Sequence, residues 1–382
     1  MEILLFSAAD LSDSTVVLAS LIPLTFSFTP FQKIFATKSK YMQKNKNYLQ
    51  AALILFLFTA VLSSCSKTSS SDTDVTGNWK RSSEFEGVGR TEAVTFTIGD
   101  KVYVGGGYDG TNRLQDFWEF NQSTGTWIRK ADFPGTARNS AVAFAINGKG
   151  YVGTGYDGIK KLKDFWEFNP ETNTWTQIAD FGGTERYGAA AFSIGGKGYV
   201  STGYDGNYLK DLWEYSPATN TWTQKASLTG SKRTEAVAFV YNDKAYIVTG
   251  INNGSYLADF WMYDPATNAW TEKRKITSVS DEDYDDDYGS GITRSNAAAF
   301  VMNDKAYVIG GNTSGVIGTT WEYDIATDVW VQKTSFEGTA REGAVAFSIS
   351  NRGYVTTGHN SSFFFDDLWE FFPFADQDDT DN

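Results

Sequence analysis

The sequence predicts an all-β protein whose six repeats close into a ring, and its tryptophans carry the prediction. One series of six is followed by Glu or Met and then an aromatic residue: Trp118, Trp166, Trp213, Trp261, Trp321 and Trp369. The other series is Trp79, Trp127, Trp175, Trp222, Trp270 and Trp330. Five pairs lie nine residues apart, but Trp369 lacks a downstream partner and Trp79 lacks an upstream one. Because a ring lets the first strand complete the last repeat, this offset predicts circular closure.

Three further columns recur once in every repeat, at a period of 47–48 residues with one longer repeat. An arginine opens each repeat: Arg90, Arg138, Arg186, Arg233, Arg294 and Arg341. A tyrosine follows: Tyr103, Tyr151, Tyr199, Tyr246, Tyr307 and Tyr354. A glycine comes four residues later: Gly107, Gly155, Gly203, Gly250, Gly311 and Gly358. Self-similarity at this period predicts a propeller or another array of repeated sheets.

Each repeat reads as four strands, which the second repeat illustrates. Residues 141–146 alternate alanine with larger apolar residues, as expected of an innermost strand crowded near an axis. Residues 150–155 form the next predicted strand, and 164–168 and 174–177 form the outer two. Turn-forming residues separate these segments, and no segment has sustained helical periodicity.

The repeats resemble those of the kelch family. The opening Arg, the Tyr-Val-x-x-Gly segment, Asp-Phe-Trp-Glu-Phe and the later Asn-Thr-Trp-Thr carry the resemblance over residues 79–372. It implies a six-bladed β-propeller of kelch repeats at 77–373, followed by an acidic tail at 374–382. Residues 77–80 are expected to pair with 367–371 in the last blade. One departure is that four repeats replace the first of two adjacent glycines by threonine: Thr154, Thr202, Thr249 and Thr357.

The N-terminal region reads as a targeting signal. Residues 42–64 contain two lysines, a short apolar run and small residues before Cys65, the layout of a secretory signal peptide. They resemble a bacterial lipoprotein signal, which implies lipid attachment at Cys65 and anchoring in the cell envelope, at the outer rather than the inner membrane. Residues 65–76 form a polar tether. Residues 1–41 precede this signal and represent either a start-site artefact or an additional hydrophobic segment.

The composition limits the chemistry of the protein. A net charge of −13 disfavours nucleic-acid binding, which needs a basic surface. The single cysteine precludes an intrachain disulfide, and His359 is the only histidine. A zinc site or a Ser-His-Asp triad would depend on that one histidine. The sequence therefore indicates no cofactor and favours a binding role over catalysis.

The end of each blade where its first strand begins is the predicted ligand face. It gathers the six opening arginines together with Tyr108, Tyr156 and Tyr204. Five aspartates precede the first tryptophan series by two residues, so the arginines alternatively form Arg–Asp pairs between blades. The tyrosines either stack on a ligand or shape the Asp-Gly turns beside them.

Two departures from the repeat offer further sites. An insertion near 277–291 is rich in acids, and Asp281, Asp283 and Asp285 are weak calcium candidates because calcium prefers oxygen ligands. This loop is expected to overhang the ligand face. In the sixth repeat, His359 and the three phenylalanines at 363–365 either contact a ligand or cover the closure seam.

These features predict an envelope-anchored propeller that binds a protein or glycan partner. The alternative function is a carbohydrate-active enzyme, such as the sialic-acid mutarotases and epimerases that share the kelch fold. In that case Glu92, Glu235 or Glu342, each beside an opening arginine, would supply acid–base catalysis.

Overall fold

The repeats fold into antiparallel sheets in the computed structural model, which describes residues 75–289 and 291–380. We call the sheets blades one to six. In chain order within each blade, apart from the closing strand of blade six, the four main strands are Val94–Ile98, Lys101–Gly105, Phe117–Asn121 and Thr126–Arg129; Val142–Ile146, Lys149–Gly153, Phe165–Asn169 and Thr174–Ile178; Ala190–Ile194, Lys197–Ser201, Leu212–Ser216 and Thr221–Lys225; Val237–Tyr241, Lys244–Val248, Trp261–Asp264 and Ala269–Glu272; Ala298–Met302, Lys305–Ile309, Thr320–Asp324 and Val329–Lys333; and Glu342–Ile349, Arg352–Asn360, Asp367–Phe372 and the closing Asn78–Glu84. Short paired segments at Ile251–Asn252, Ser255–Tyr256 and Phe363–Phe364 extend blades four and six.

The first strands surround a central axis, and each contacts the first strand of the next blade, including blade six against blade one. In blade two, Val142 and Phe144 are buried between neighbouring sheets. Ala141 and Ala143 instead line an axial cavity of about 180 Å³, together with small residues of the other five blades. The predicted alternation is confirmed, because only short side chains fit on the face nearest the axis.

The second tryptophan series joins neighbouring blades. Trp175 of blade two lies with its ring centre 4.9 Å from that of Phe117 in blade one. Its indole N–H donates to the carbonyl of Ala131, in the segment that connects the two blades, over 3.0 Å. Trp222 repeats the ring contact with Phe165 at 4.9 Å. Each such residue therefore links its own blade to the preceding one, so the ring depends on contacts between consecutive blades.

The strand Asn78–Glu84 closes the ring. It pairs antiparallel with Asp367–Phe372, so that Trp79 lies opposite Phe371, and the register shifts before Glu84. The predicted closure is confirmed, although the strand extends beyond the expected residues 77–80. An N-terminal strand thus becomes the outermost strand of the last blade.

Trp79 fixes this closing strand to the preceding blade. Its side chain is fully buried, and its ring centre lies 5.0 Å from that of Phe336, which follows blade five. Its indole N–H donates to the carbonyl of Thr334 over 3.4 Å. Beyond blade six, the backbone N–H of Asp378 donates to the side chain of Asn78. The first described residues of the acidic tail therefore pack against the closing strand.

The first glycine position of the kelch pattern needs a left-handed backbone in every blade. Gly106 and Gly310 have φ values of 61° and 62° there. The threonines that replace glycine in the other blades have φ values from 55° to 65°: Thr154, Thr202, Thr249 and Thr357. Such values are uncommon for β-branched residues. All four side chains are fully buried, so the surrounding sheet holds them in this conformation.

The insertion between blades four and five contains a 3₁₀ turn at Asp283–Asp285. The buried carboxylate of Asp285 accepts hydrogen bonds from the backbone N–H groups of Val279 and Ser280. The hydroxyl of Tyr288 accepts the backbone N–H of Trp330 over 2.6 Å. The expected overhang of the ligand face is therefore wrong for the described part of this loop, which lies along the outer strand of blade five. The exposed backbone of that edge strand explains the placement, because its N–H groups need acceptors.

The predicted signal peptide, Cys65 and all but the last two residues of the predicted tether lie outside the described residues. Across 75–289 and 291–380, no helix is long and apolar enough to cross a membrane.

Candidate functional site at the channel mouth

The axial channel opens at the end of the ring where the first strands begin, and we call this opening the mouth. Six residues, each two positions after the opening arginine, line a cavity of about 160 Å³ there together with the alanines that follow them. We call these six residues the belt: Glu92, Ser140, Gly188, Glu235, Asn296 and Gly343.

The belt is a closed circle of backbone hydrogen bonds. Each of its N–H groups donates to the carbonyl of the belt residue in the preceding blade, at 2.7–3.1 Å. The bond from Glu92 to Gly343 crosses the seam between blades one and six. All six residues have φ between 51° and 63°, which glycine adopts freely and other residues only when neighbouring contacts fix it. The mouth is therefore preorganised, and its rim is closed independently of the N-terminal strand.

Three carboxyl groups meet at this mouth, and they are the ones that the sequence offered for acid–base chemistry. Glu92 accepts hydrogen bonds from the side chains of Asn139 and Ser140. Glu342 accepts one from Asn312 over 3.1 Å. Glu235 lies close enough to both of the other glutamates for their charges to act on it. Three separate blades thus bring like charges together around the axis.

Glu235 holds its proton more firmly than an ordinary carboxylic acid. Burial raises its pKa from 4.5 to about 7, the negative charges of Glu92 and Glu342 add to that rise, and a hydrogen bond from Ser295 partly offsets it. Carboxyl groups with a pKa near neutrality are suited to general acid–base catalysis and cluster at functional sites.

This pKa makes the stability of the propeller depend on pH. Between pH 4.5 and 7 the unfolded chain releases the Glu235 proton while the folded chain keeps it, so stability decreases as pH rises through this window. The raised pKa corresponds to about 3 kcal/mol at 1.36 kcal/mol per unit. We expect Glu235→Gln to remove this component and to raise the urea midpoint at pH 8 more than at pH 5. Equal effects at both pH values would contradict the assignment.

Blade six contributes His359 to the rim of the mouth. Its Nδ1 lies 3.0 Å from the hydroxyl of Thr91, and its Nε2 lies 3.8 Å from the carboxylate of Glu342. Its ring stacks on Phe364, which also makes an edge contact with Tyr108 of blade one. Of the three phenylalanines, Phe364 therefore covers the seam, whereas Phe363 is 72% exposed.

The opening arginines lie inside the blades rather than on the ligand face. Their side chains are at most 2% exposed: Arg90, Arg138, Arg186, Arg233, Arg294 and Arg341. Five of them bind an aspartate of their own blade, namely Asp116, Asp164, Asp211, Asp259 and Asp367. The expectation of pairs between blades is thus corrected to pairs within a blade. Burial and these partners leave the guanidinium groups inaccessible to a ligand in this structure.

Blade two shows how such a pair is built. Arg138 donates two hydrogen bonds to Asp164, of 2.8 and 2.7 Å, and another to the carbonyl of Thr154. Asp164 also accepts the indole N–H of Trp166 over 2.8 Å. Burial alone would raise the pKa of Asp164, but the bonds and charge of Arg138 more than offset it and lower that pKa. The arrangement ties the start of the first strand to the third strand.

Blade five is the exception, because Thr319 replaces the aspartate. Arg294 donates instead to the Thr319 hydroxyl over 2.8 Å and to the carbonyl of Gly291 in the insertion. Burial lowers the pKa of Arg294 to about 9. The indole N–H of Trp321 finds no hydrogen-bond partner among the residues that the structure describes. The insertion thus supplies part of what the missing carboxylate provides elsewhere.

The predicted tyrosines stand around the mouth, half-buried. The hydroxyls of Tyr108 and Tyr156 donate to the carbonyls of Gly110 and Gly158 in their own turns. They therefore do shape the Asp-Gly turns, and one face of the alternative left open by the sequence is supported for these two. Tyr204 instead packs between other tyrosines.

Sequence reasoning missed three members of this group. Arg113 lies between Tyr108 and Tyr156, with its guanidinium carbon 5.1 Å from both ring centres. Tyr187 and Tyr208 continue the stack on blades two and three. We call the whole group the tyrosine sector: Tyr108, Arg113, Tyr156, Tyr187, Tyr204 and Tyr208. The signal available was variation between repeats, because blades four to six lack this series.

The calcium candidates do not form a metal site in the described part of the chain. Asp285 is occupied by backbone N–H groups, whereas Asp281 and Asp283 are exposed. Across residues 75–289 and 291–380, no group of three or more His, Cys, Asp or Glu side chains is arranged to hold a metal ion.

Comparison with known proteins places this architecture. A family model described as the KLHDC2/KLHL20/DRC7 Kelch-repeats domain matches residues 66–233 and 184–332, together well over half of the chain. The solved structure of YjhT aligns with a TM-score of 0.63 and 17% identity, over 75% of this chain and 95% of its own, which shows a shared fold. A search of curated proteins found no match. With its six blades, its repeated arginine and tryptophan columns and this match, the chain belongs to the kelch-repeat family of β-propellers.

Proposed function

We propose that this protein is an interaction module that binds a protein ligand on the mouth face of its propeller. The tyrosine sector is the observation that carries the proposal. Its rings follow one another at centre distances of 5.5 Å (Tyr156 to Tyr187), 5.7 Å (Tyr187 to Tyr204) and 5.2 Å (Tyr204 to Tyr208). Tyrosine and arginine dominate binding energy at protein interfaces, and rings that already hold one another lose little freedom on binding.

The variation between blades supports a role in binding rather than in folding. Tyr108, Tyr156 and Tyr204 occupy one position of the repeat, where blades four to six have Ile251, Asn312 and His359. A residue needed by every blade would recur in all six, as the opening arginine does. The tyrosines are restricted to half of the ring, so a ligand would be oriented toward blades one to three.

The location of this module is part of the proposal. A lipid on Cys65 would anchor the chain to the bacterial envelope, facing the periplasm or the exterior, and the support is the signal-like sequence at 42–65. The intact mass of the mature protein tests it. A chain that begins at Cys65 and carries acyl groups is expected, and a mature chain that retains residues 1–41 would contradict the anchor.

A randomised 12-residue peptide display library selected on the full chain tests the binding face. Selected peptides are expected to bind Tyr156→Ala and Tyr204→Ala at least about tenfold more weakly than the parent. Tyr241→Ala is the matched control, because Tyr241 is a half-buried tyrosine at the opposite end of blade four. Selected peptides that bind all three variants with parental affinity would refute the proposed face, and selection of glycans alone from an array would assign it to carbohydrate.

A second candidate function follows from Glu235. A carboxyl group with a pKa of about 7, facing a cavity shared with Glu92, could exchange a proton with a sugar hydroxyl during mutarotation or epimerisation. NMR of sugar anomers should then show interconversion accelerated by the protein and abolished by Glu235→Gln. Unchanged interconversion rates across a panel that includes acidic sugars would exclude this candidate.

A further inference from the structure

We propose that the partner docks through an acidic peptide segment on a basic patch of blades one and two, formed by Arg113, Lys160 and Lys161. This inference rests on the proposed function and names the chemistry of its partner. Lys160 and Lys161 follow the Asp-Gly turn of blade two, and Arg113 stands on the adjacent loop of blade one. The three side chains thus lie on the mouth face, within or beside the tyrosine sector.

Arg113 is held in place while most of its donors stay available. Its guanidinium lies between the rings of Tyr108 and Tyr156, and its Nε donates to Asn139 over 2.8 Å. No other hydrogen bond of Arg113 occurs among the described residues. The two terminal nitrogens can therefore meet a carboxylate in the two-pronged geometry that arginine favours. Lys161 is similarly placed, with its ammonium 5.7 Å from the ring centre of Tyr204.

These cations differ from the lysines on the strands. Seven strand or strand-end lysines each form an ion pair: Lys130, Lys149, Lys225, Lys244, Lys273, Lys305 and Lys333. Within the described part of the chain, Arg113, Lys160 and Lys161 form none. The protein has 46 acidic residues against 33 basic ones, so carboxylates are not scarce. A group of cations left without them on one face indicates a carboxylate supplied by a partner.

The acids nearest to the patch are already engaged. Asp157 accepts the backbone N–H groups of Ile159 and Lys160, at 2.8 and 2.7 Å, so its carboxylate is turned into its own loop. Asp164, at the end of the same loop, binds Arg138 inside the blade. The lysine side chains therefore remain directed to the surroundings of the loop rather than to these carboxylates.

The surroundings favour an acidic protein segment over other anions. Ile159 is 91% exposed beside the two lysines and offers an apolar contact that a peptide side chain can use. A net charge of −13 opposes the wide basic surface that nucleic acid requires. Charge complementarity of this kind raises association rates and is weakened by salt. We infer a segment that combines aspartate or glutamate with an apolar residue.

Peptides selected from the display library on the full chain provide the probe. We expect enrichment in Asp and Glu, and fluorescence anisotropy should show at least about tenfold weaker binding to the Lys160→Glu/Lys161→Glu variant. Raising the salt concentration should weaken binding to the parent in the same direction. Lys101→Glu is the matched control, because Lys101 forms no ion pair among the described residues and begins the second strand of blade one, at the end remote from the mouth.

The outcomes separate this inference from the proposed function. Neutral peptides whose binding depends on Tyr156 but not on the lysines would overturn the basic patch and leave the mouth face intact. Peptides insensitive to every mouth-face variant would overturn both. Binding of phosphatidylglycerol vesicles that requires Lys160 and Lys161, without peptide binding, would assign the patch to a membrane surface and overturn the acidic segment.

Discussion

Deletion of residues 77–81 is expected to destabilise the whole propeller, because it removes most of the strand that completes blade six. The deletion takes away Trp79, which is fully buried against Phe336 and Phe371. It also exposes the edge of Asp367–Phe372, which loses its partner. Replacing a buried tryptophan by alanine alone costs about 3–5 kcal/mol. The deletion should exceed that loss and lower the melting temperature by more than Trp79→Ala does.

The matched control for this experiment is deletion of residues 66–72, which would shorten the predicted tether and should leave the melting transition unchanged. The hydrogen bond from Glu92 to Gly343 still joins blades one and six in both variants. We therefore expect a destabilised ring that retains its repeats, visible as a lower transition temperature in circular dichroism. An unchanged transition after removal of 77–81 would show that the belt alone closes the ring.

Asp164→Ala is expected to cost about 3–5 kcal/mol, because it leaves the guanidinium of Arg138 buried without its carboxylate. The indole N–H of Trp166 loses its acceptor at the same time. The cost should appear as a lower urea midpoint with little change in the slope of the transition.

A double substitution distinguishes lost charge pairing from lost packing. Arg138→Met combined with Asp164→Leu removes both charges and should destabilise less than Asp164→Ala alone. Blade five shows that a blade can fold without this carboxylate, but there Thr319 and the carbonyl of Gly291 receive the arginine. A loss below about 1 kcal/mol in Asp164→Ala would contradict the structural role of the pair.

The repeat pattern was sufficient to predict the architecture. Strand pairing follows the alternation of side chains, so columns such as Tyr151 and Trp166 fix where each strand lies. The offset of Trp79 from Trp369 likewise predicts the closing strand, since burial of these rings requires it. Such features depend on local pattern and repeat number, which are both readable in one chain.

The site was less predictable, because it depends on contacts between loops of different blades. The Arg138–Asp164 spacing suits a pair within a blade or between blades, and only the fold decides between them. Arg113 looks like any surface residue until Tyr108 and Tyr156 are seen on either side of it. The placement of the insertion depends on the bond between Tyr288 and the edge strand of blade five, for which no sequence pattern exists.

Hydrogen–deuterium exchange on the full chain, with and without a saturating display-selected peptide, tests the proposed binding face most directly. The account predicts slower exchange in the three loops of the tyrosine sector, at residues 108–113, 156–161 and 204–208, with no change in the hairpin turns at the opposite end of the blades. Protection confined to the insertion at 277–291 or to the outer strands would contradict it.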